Sequence, residues 1–587
     1  MQIVFKRFSA MIYIFTILQA FMFHYAFAAV KDFHGVDEYT MGEYETIVIA
    51  KEHAVQEAQR NALEQAGVYV KSYTKTKNLK VEEDTVTVLT NGILWVKDKK
   101  ITKRTNEYGD RHIKAEILVS IDTDDIEKKL NNTKALENMQ IEYNDLQQRY
   151  NELENEINQL RKSSSKEEAQ KYTQELDKRI KIRSELTDIQ EKVKAYSKEK
   201  SFEEKRAFET ESINKISNLI KEDPSYGELY YARANLKRFS ERLYFDGMHK
   251  RTEEAIDDYN IAEKLFINDN AKLAQIYEHR ADCYFVLKQY DKQIEDITKL
   301  INIPEKQKVY KNYLLYLSRG DIYLVCQQYQ KAIDDAESAL QLLKNLPQKK
   351  VITHIGLYEI KVKAYRSLGK YREAINCYEK LIELHKTTSA YKTKPNIAKN
   401  VESEFLCDKA ECFIKLGDYA SAIADVNKSI SLNVEKTEPS VMDVAPFLLR
   451  GEIYQKLNNP IMEIQSYTDG INYFRTAGIP KPKNLSSNAY EQFIEEWNAA
   501  TSAMLYFNRG IAHHNSDDYI AAISDYNEYL NLDKNNHRKN RDWAYMNIAR
   551  CYYAIDQKDT AIKYANKALE EHPNWQKAID FIRLVES

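Results

Sequence analysis

Tyr316-Leu317-Ser318-Arg319-Gly320-Asp321-Ile322-Tyr323 is followed, twelve residues after its glycine, by Ala332-Ile333-Asp334-Asp335. The same linked phrases return along the C-terminal two thirds of the chain. Tyr277-Glu278-His279-Arg280-Ala281-Asp282-Cys283-Tyr284 is one earlier copy. Tyr506-Phe507-Asn508-Arg509-Gly510 with Ala522-Ile523-Ser524-Asp525 is a later one. Two helical patterns repeated at a spacing of roughly 40 residues predict a helical-repeat solenoid, in which each helix pair buries its apolar face only against its neighbours. Such a fold offers a long surface and seldom a reaction centre. The sequence therefore predicts a binding scaffold without naming its partner.

Aligned on the small residue, the copies are Ala234, Ala281, Gly320, Val362, Ala410, Gly451, Gly510 and Ala549. Four residues earlier stand Tyr230, Tyr277, Tyr316, Tyr358, Leu406, Phe447, Tyr506 and Tyr545, and nine residues later Tyr290, Tyr329, Tyr371, Tyr419 and Tyr519 mark five copies. This pattern resembles the tetratricopeptide repeat, a helix-turn-helix unit, over about residues 213–587. Pro224 and Pro573 fall where that family's repeat ends. The spacings of 39 to 59 residues exceed the family's period of about 34. Insertions at 240–251, 385–397 and 477–487 account for part of the excess.

The residue before the small one is basic in seven copies, and an Asp stands in the second helix of five of those. This predicts ion pairs inside single repeats: Arg233 with Asp258, Arg280 with Asp296, Arg319 with Asp335, Lys409 with Asp425, and Arg509 with Asp525. In the last copy Ile548 and Tyr564 replace both members together. The resemblance further implies that an extended peptide or partner helix docks on the concave face made by the first helices. The positions expected there are Glu278, Asp282, Asp321, Glu359, Glu404, Glu411 and Glu452, then Met504, Phe507, Ile511, Trp543, Met546 and Tyr553. They suggest a groove with an acidic centre and an apolar end, suited to a basic segment with a hydrophobic anchor. The alternative is that the acids are solvated and the C-terminal helix covers the apolar set. The Lys/Asn/Arg clamp by which some relatives grip chaperone C-termini is incomplete here, because Leu449-Arg450-Gly451-Glu452 and Asn547-Ile548 lack its residues.

The chain opens with Lys6 and Arg7, an apolar run from Phe8 to Phe23, and Ala26-Phe27-Ala28. This is the pattern of a secretory signal over residues 1–28, cleaved after Ala28. The alternative is an N-terminal membrane anchor over Met11 to Val30. Cleavage predicts an exported protein, periplasmic or in the cell envelope, for which nucleic acid is no partner. With the first cysteine at Cys283, lipid attachment at the signal is not expected.

Residues 29–123 predict a small α+β domain. Val36 to Met41 is expected as a strand, followed by a helix with Ala50, Ala54, Ala58, Ala62 and Ala66 on one stripe. Gly67 is expected to cap that helix, ahead of a strand over Val68 to Tyr73 and a short helix around Glu82 to Asn91. A hairpin of 93–104 and 113–121 closes the domain. The phrase from Ala58 to Val70, an Ala-rich helix running into Gln-Ala-Gly, resembles the N-terminal domain of flagellar assembly protein T and related exported lipoprotein domains. That resemblance implies an envelope setting. The dense run Lys97-Asp98-Lys99-Lys100-Ile101-Thr102-Lys103-Arg104 reads first as a solvated edge strand guarded by lysines, and second as an anion-binding patch.

Residues 124–210 carry two apolar seams, Leu136 to Leu160 and Tyr172 to Tyr196, around Arg161-Lys162-Ser163-Ser164-Ser165. They predict an antiparallel coiled-coil hairpin with arms of roughly 55 Å. The fold class expected is thus mainly α: a solenoid over 211–587, preceded by that hairpin and the α+β domain. Dimerisation through one arm would instead make a self-associating structural envelope protein and a homo-oligomer.

Charged residues make up 30% of the 587 but leave a net charge of only -3, so no bulk polyelectrolyte attraction is implied. Only 15 Gly and 10 Pro beside 42 Tyr agree with helices packed through aromatic rings. Cys283, Cys412 and Cys551 occupy one slot in three repeats and read as packing residues. The 12 His are scattered, with no HExxH, paired CxxC, phosphate loop or nucleophile elbow. No catalytic residue, metal site or cofactor is expected.

Overall fold

The computed structural model describes residues 30–76, 89–90, 94–107, 109–122, 126, 151, 153–159, 162, 165–196, 202–242, 248–304, 311–344, 351–436, 439–477, 487–534 and 540–587. The signal-like segment and most of the outgoing coiled-coil arm lie outside these residues, as does most of the short helix expected around Glu82. The chain forms two compact units that divide between Lys311 and Asn312.

The first unit begins with β1 (Val30–Thr40), α1 (Ile47–Thr76), β2 (Leu94–Thr105) and β3 (Arg111–Asp122). The sheet is antiparallel in the order β1-β3-β2, with a bulge between Val96 and Asp98. Ala50, Ala54, Ala58, Ala62 and Ala66 are all fully buried and lay α1 directly on the sheet, where Ile113, Ile117 and Ile121 of β3 meet them. Contact is so close that a Cβ on Gly35 would come within 1.8 Å of the Ala58 carbonyl oxygen. Asn61 and Gln65 of α1 donate to the Val36 and His34 carbonyls of β1, each at 3.0 Å.

Two expectations for this domain fail. Gly67 does not cap α1, and Val68 to Tyr73 is helix rather than strand. The reason is positional: Val70 continues the four-residue alanine stripe and is fully buried with it, while Val68 faces solvent. On β2, Lys97 pairs with Asp32 at 2.8 Å and Arg104 with Glu38 at 2.6 Å, so members of the basic run are neutralised within the sheet.

The coiled-coil hairpin expected over 124–210 is also corrected. The N-terminal region is a small antiparallel sheet covered by α1, and α2 (Lys166–Tyr196) is packed against the start of α1 and the segment before it. Leu176, from the expected return seam, and Ile180 form one buried cluster with Ile49 and Tyr44 as well as with Leu153 and Ile157. Thr173 donates to the Tyr44 carbonyl at 2.8 Å, and Thr46 donates to Asp177. The periodic apolar row serves intramolecular packing on three elements, which a heptad pattern alone does not distinguish from a two-helix seam.

Helix α3 (Phe202–Glu222) leads into the helix pairs of this unit, α4 (Gly227–Arg242) with α5 (Met248–Leu265) and α6 (Asn270–Val286) with α7 (Tyr290–Asn302). The second unit continues the pattern. Its pairs are α8 (Asn312–Val325) with α9 (Tyr329–Leu343), and α10 (Val351–Ser367) with α11 (Tyr371–Lys386). After the short α12 (Ser389–Thr393) come α13 (Pro395–Lys415) with α14 (Tyr419–Val434), and α15 (Val444–Lys456) with α16 (Pro460–Ala477). Then α17 (Ser487–Ala500) precedes α18 (Ser502–Asn515) with α19 (Tyr519–Leu532), α20 (Arg541–Ala554) with α21 (Lys558–Glu571), and a final α22 (Gln576–Glu586).

One turn design recurs between the paired helices. Lys288, Gln327, Gly369, Gly417, Asn458, Asp517 and Asp556 all have left-handed backbone, with φ between 51° and 76°. The amide of the next residue then donates to a carbonyl five residues back, as Gln328 to Tyr323 and Gln557 to Tyr552, both at 2.8 Å. Two glycines take this conformation without strain, whereas the five side-chain-bearing residues pay a local steric cost for the same helix termination.

Candidate protein-binding face

Six repeats fix their first helix against their second through a basic residue. Arg319 on α8 donates through Nε and Nη2 to the two oxygens of Asp335 on α9, at 2.8 and 2.7 Å. Arg280 and Asp296 meet in the same two-pronged way at 2.8 Å each, Arg509 and Asp525 at 2.8 and 2.6 Å, and Arg233 and Asp258 at 2.9 and 2.6 Å. Lys409 reaches Asp425 at 3.2 Å. Each arginine also lies over the tyrosine three residues before it, Arg509 5.2 Å from the Tyr506 ring centre and Arg319 5.5 Å from that of Tyr316. Arg450 instead reaches Asp469, and Lys361 reaches back to Glu337 at 2.9 Å. These charges are structural; they orient the first helices and leave other residues to face outward.

In the first unit the acidic positions are not open charges. Asp282 on α6 is held by Arg238 of α4 at 2.7 Å, and Glu278 is half-buried beside Tyr231. In the second unit the acids divide. Glu411 is bound by Arg366 at 2.7 Å and Glu452 by Lys456 at 3.5 Å. Asp321 on α8, Glu359 on α10 and Glu404 on α13 remain as a row of like charges on successive first helices. Burial, opposed by Lys363 and assisted by the charges of Asp321 and Glu404, pushes Glu359 above its ordinary carboxyl range. Burial likewise raises Asp321, again with Lys363 as the opposing charge.

The six apolar positions expected at the C-terminal end also divide. Met546 is fully buried, in a cluster with Ala568 and Ala578, so it belongs to the core. Tyr553 packs edge-on against Phe581 of α22, at 5.8 Å between ring centres. Met504 is half-buried and lies outside the cleft described next. Phe507, Ile511 and Trp543 are brought together: with α18 on one side and α20 on the other, they wall a cleft of about 410 Å³.

Sequence reading missed the polar half of that cleft. His514, Asn547 and Arg550 line it with the hydroxyl-bearing ring of Tyr526, as do Asn515 and Asn540. The signal was present in the spacing, because Trp543, Asn547 and Arg550 fall three and four residues apart on one helix face. Burial and the neighbouring Arg550 charge hold His514 below its ordinary value. Burial likewise pushes the Cys412 thiol up to about 11 and that of Cys551 to about 12, which disfavours the reactive thiolate at both. Among the described residues no cluster of His, Cys, Asp and Glu suits a metal ion, and no helix is long and apolar enough to cross a membrane.

Residues 355–387, 403–433 and 504–536 match one family model described as tetratricopeptide repeat, and 543–574 match a second. Photosystem I assembly protein Ycf3 of Synechococcus sp. (strain CC9605) is 31% identical over 83 residues, 14% of this chain and 47% of that protein. Its counterpart in Prochlorococcus marinus subsp. pastoris is 34% identical over the same shares. The chain thus spans about half the length of the curated relatives it matches. Among solved structures, apo RapI superposes with a TM-score of 0.34 at 11% identity, covering 68% of this chain and 98% of that one. The C-terminal part of a repeat-containing protein from Cytophaga hutchinsonii gives a TM-score of 0.33 at 17% identity, covering 52% and 97%.

Proposed function

We propose that this chain, which carries tetratricopeptide repeats and acts as a protein-binding scaffold rather than an enzyme, captures a basic segment of its partner on the first-helix face of the second unit. The row of Asp321, Glu359 and Glu404 carries the proposal. Of these three carboxylates on successive first helices, Asp321 and Glu359 are each opposed by Lys363 and displaced toward protonation by burial, and Glu404 adds its like charge beside Glu359. An arriving lysine or arginine would relieve that repulsion, a gain realised only on binding. Glu411 and Glu452 of the same unit contribute less, since each already has a cationic partner.

The test is capture of a fluorescent hexalysine peptide by the full chain at low salt. Asp321→Lys with Glu359→Lys should weaken capture at least tenfold, and raised salt should weaken it for the unaltered protein. Equal capture by the reversed variant would remove the acidic face as the docking surface.

The setting we infer is the cell envelope, supported by the signal-like N-terminus and by the resemblance of the Ala58–Val70 phrase to exported domains. Assembly or export of surface components is the role in keeping with that setting. Fractionation of cells expressing a C-terminally tagged chain tests it; an intact N-terminus in the cytosolic fraction would exclude export.

A further inference from the structure

Between α13 and the loop that leads into α15, a lysine is shut away from water beside an asparagine amide. The Lys436 side chain is 1% exposed, and its Nζ donates to Oδ1 of Asn400 on α13 at 2.6 Å. The same Nζ donates to Oδ1 of Asp443, whose side chain is 2% exposed. The other oxygen of Asp443 accepts from the Tyr473 hydroxyl at 2.6 Å and from the Ser440 amide at 2.9 Å, so the carboxylate is fixed in orientation. Lys399, one residue before Asn400, binds the carbonyl and the carboxylate of Glu435, one residue before Lys436, at 3.0 and 3.2 Å. That clamp holds the two segments side by side. Burial, opposed by Asp443 and assisted by the Lys399 charge, holds the Lys436 ammonium below its ordinary value. An ion pair buried this deeply adds little net stability over apolar packing, and it has no need of a neutral amide against the amine. A buried amine, an amide and a carboxylate in mutual contact are instead the three groups that an amide exchange requires.

We propose that Lys436 and Asn400 become joined by an intramolecular isopeptide bond, with Asp443 as the proton carrier. Asp443 takes a proton from Nζ, and the freed amine attacks Cγ of Asn400. The Nζ–Cγ bond forms, the Cγ–Nδ2 bond breaks, and Asp443 returns its proton to the departing nitrogen. That nitrogen leaves as ammonium, Asp443 ends as the carboxylate it began as, and no oxidant or other reactant is consumed. Attack needs an approach of roughly 3–3.5 Å. With Nζ already 2.6 Å from the carbonyl oxygen, a small rotation of the lysine side chain reaches the carbon. Exclusion of water from Lys436 and Asp443 disfavours hydrolysis of the same amide. The bond would tie α13 to the entry of α15 across α14, a covalent brace in a chain whose cysteines are all unpaired.

Tryptic mapping of the full chain by mass spectrometry tests it. Without the bond, trypsin releases residues 400–409, 429–436 and 437–450 as separate peptides. With it, Lys436 is no longer cut, and a branched species should appear that is lighter by one ammonia than 400–409 and 429–450 together. Asn400→Ala and Lys436→Arg should each abolish the branched species. Asp443→Asn leaves both reacting groups in place and should lower the linked fraction by roughly tenfold or more, and Asp443→Glu should restore part of it. A thermal melt by circular dichroism checks that each variant is folded, and mapping of the unaltered chain decides the bond whatever the variants do. Free 400–409 with normal cleavage after Lys436 in the unaltered chain overturns the proposal. So does 429–450 lighter by one water beside free 400–409, which would place the bond on Asp443. Undiminished linkage in a folded Asp443→Asn variant would remove Asp443 as the proton carrier.

Discussion

Arg280 and Asp296, sixteen residues apart on α6 and α7, close a two-pronged ion pair of 2.8 Å contacts with both side chains at most 3% exposed. Burial opposes the guanidinium charge, and Asp296 and Glu263 outweigh it, so Arg280 stays protonated. A pair so deeply placed gains little net stability over a well-packed apolar pair of the same volume. Its effect is to fix register: the planar fork fits one placement of the second helix on the first, and mispaired helices would leave a charge buried.

Arg319 and Asp335 show the same relationship and allow its measurement. Removing either partner alone strands the other and should cost roughly 3 kcal/mol. Arg319→Ala with Asp335→Ala should cost less than the sum of the two single variants by about 1–2 kcal/mol. Urea unfolding of the four proteins gives the coupling, and strict additivity would show that the pair makes no joint contribution.

Gly35 is the position where the N-terminal domain tolerates least. Its would-be Cβ lies 1.8 Å from the Ala58 carbonyl oxygen and 2.8 Å from the Ala62 Cβ, and neither neighbour can swing away, one being backbone and the other a methyl. Gly35→Ala must therefore push β1 off α1, at a cost of about 1–3 kcal/mol or more. The control is Gly109→Ala at the β2–β3 turn, where open space surrounds the added methyl and only the backbone angle of +88° is strained. A smaller loss of melting temperature in the Gly35 variant than in the control would refute the close contact.

Much of this architecture was legible because repeats state it several times. A basic residue and an Asp sixteen positions on are visible as paired signals, since the two helices are short and joined by one turn design. What stayed hidden depends on elements far apart in sequence. Asp282 looks like an open acid until Arg238, on the first helix of the preceding pair, is seen to hold it. Leu176 satisfies a heptad equally well whether it faces a second arm alone or Ile49 besides. Val68 to Tyr73 alternates like a strand, yet Val70 also sits four residues after Ala66, and the longer stripe won. Arg550 was passed over because it borders a cleft made by two helices, and neither helix alone marks it as exceptional. The left-handed turn was missed because five of its seven residues are not glycine.

Gln327 is one of those five, with φ of 58° in the turn between α8 and α9. An L-residue there carries a steric cost of about 1–2 kcal/mol, of which glycine's extra freedom in the unfolded chain takes back part. Gln327→Gly should therefore stabilise the protein by roughly 0.5–1 kcal/mol, and Gln327→Val should destabilise it. Thermal melts decide it. A glycine variant no more stable than the parent would place the turn's strain elsewhere.

Glu359 couples the proposed docking face to stability. Its folded-state value lies above that of the unfolded chain, with burial as the first cause. The folded state therefore binds protons more readily than the unfolded one. Stability associated with this group is fully present below the unfolded carboxyl range near pH 4.5 and is lost as pH rises through the raised folded value. At neutral pH the charged Glu359 is thus a stability cost, of the kind retained where binding requires it. Glu359→Gln should melt higher than the parent at pH 7, the advantage should shrink as pH falls to 4, and capture of hexalysine should weaken. If the glutamine variant were less stable at pH 7, or captured the peptide as well as the parent, Glu359 would have no cost to trade for binding.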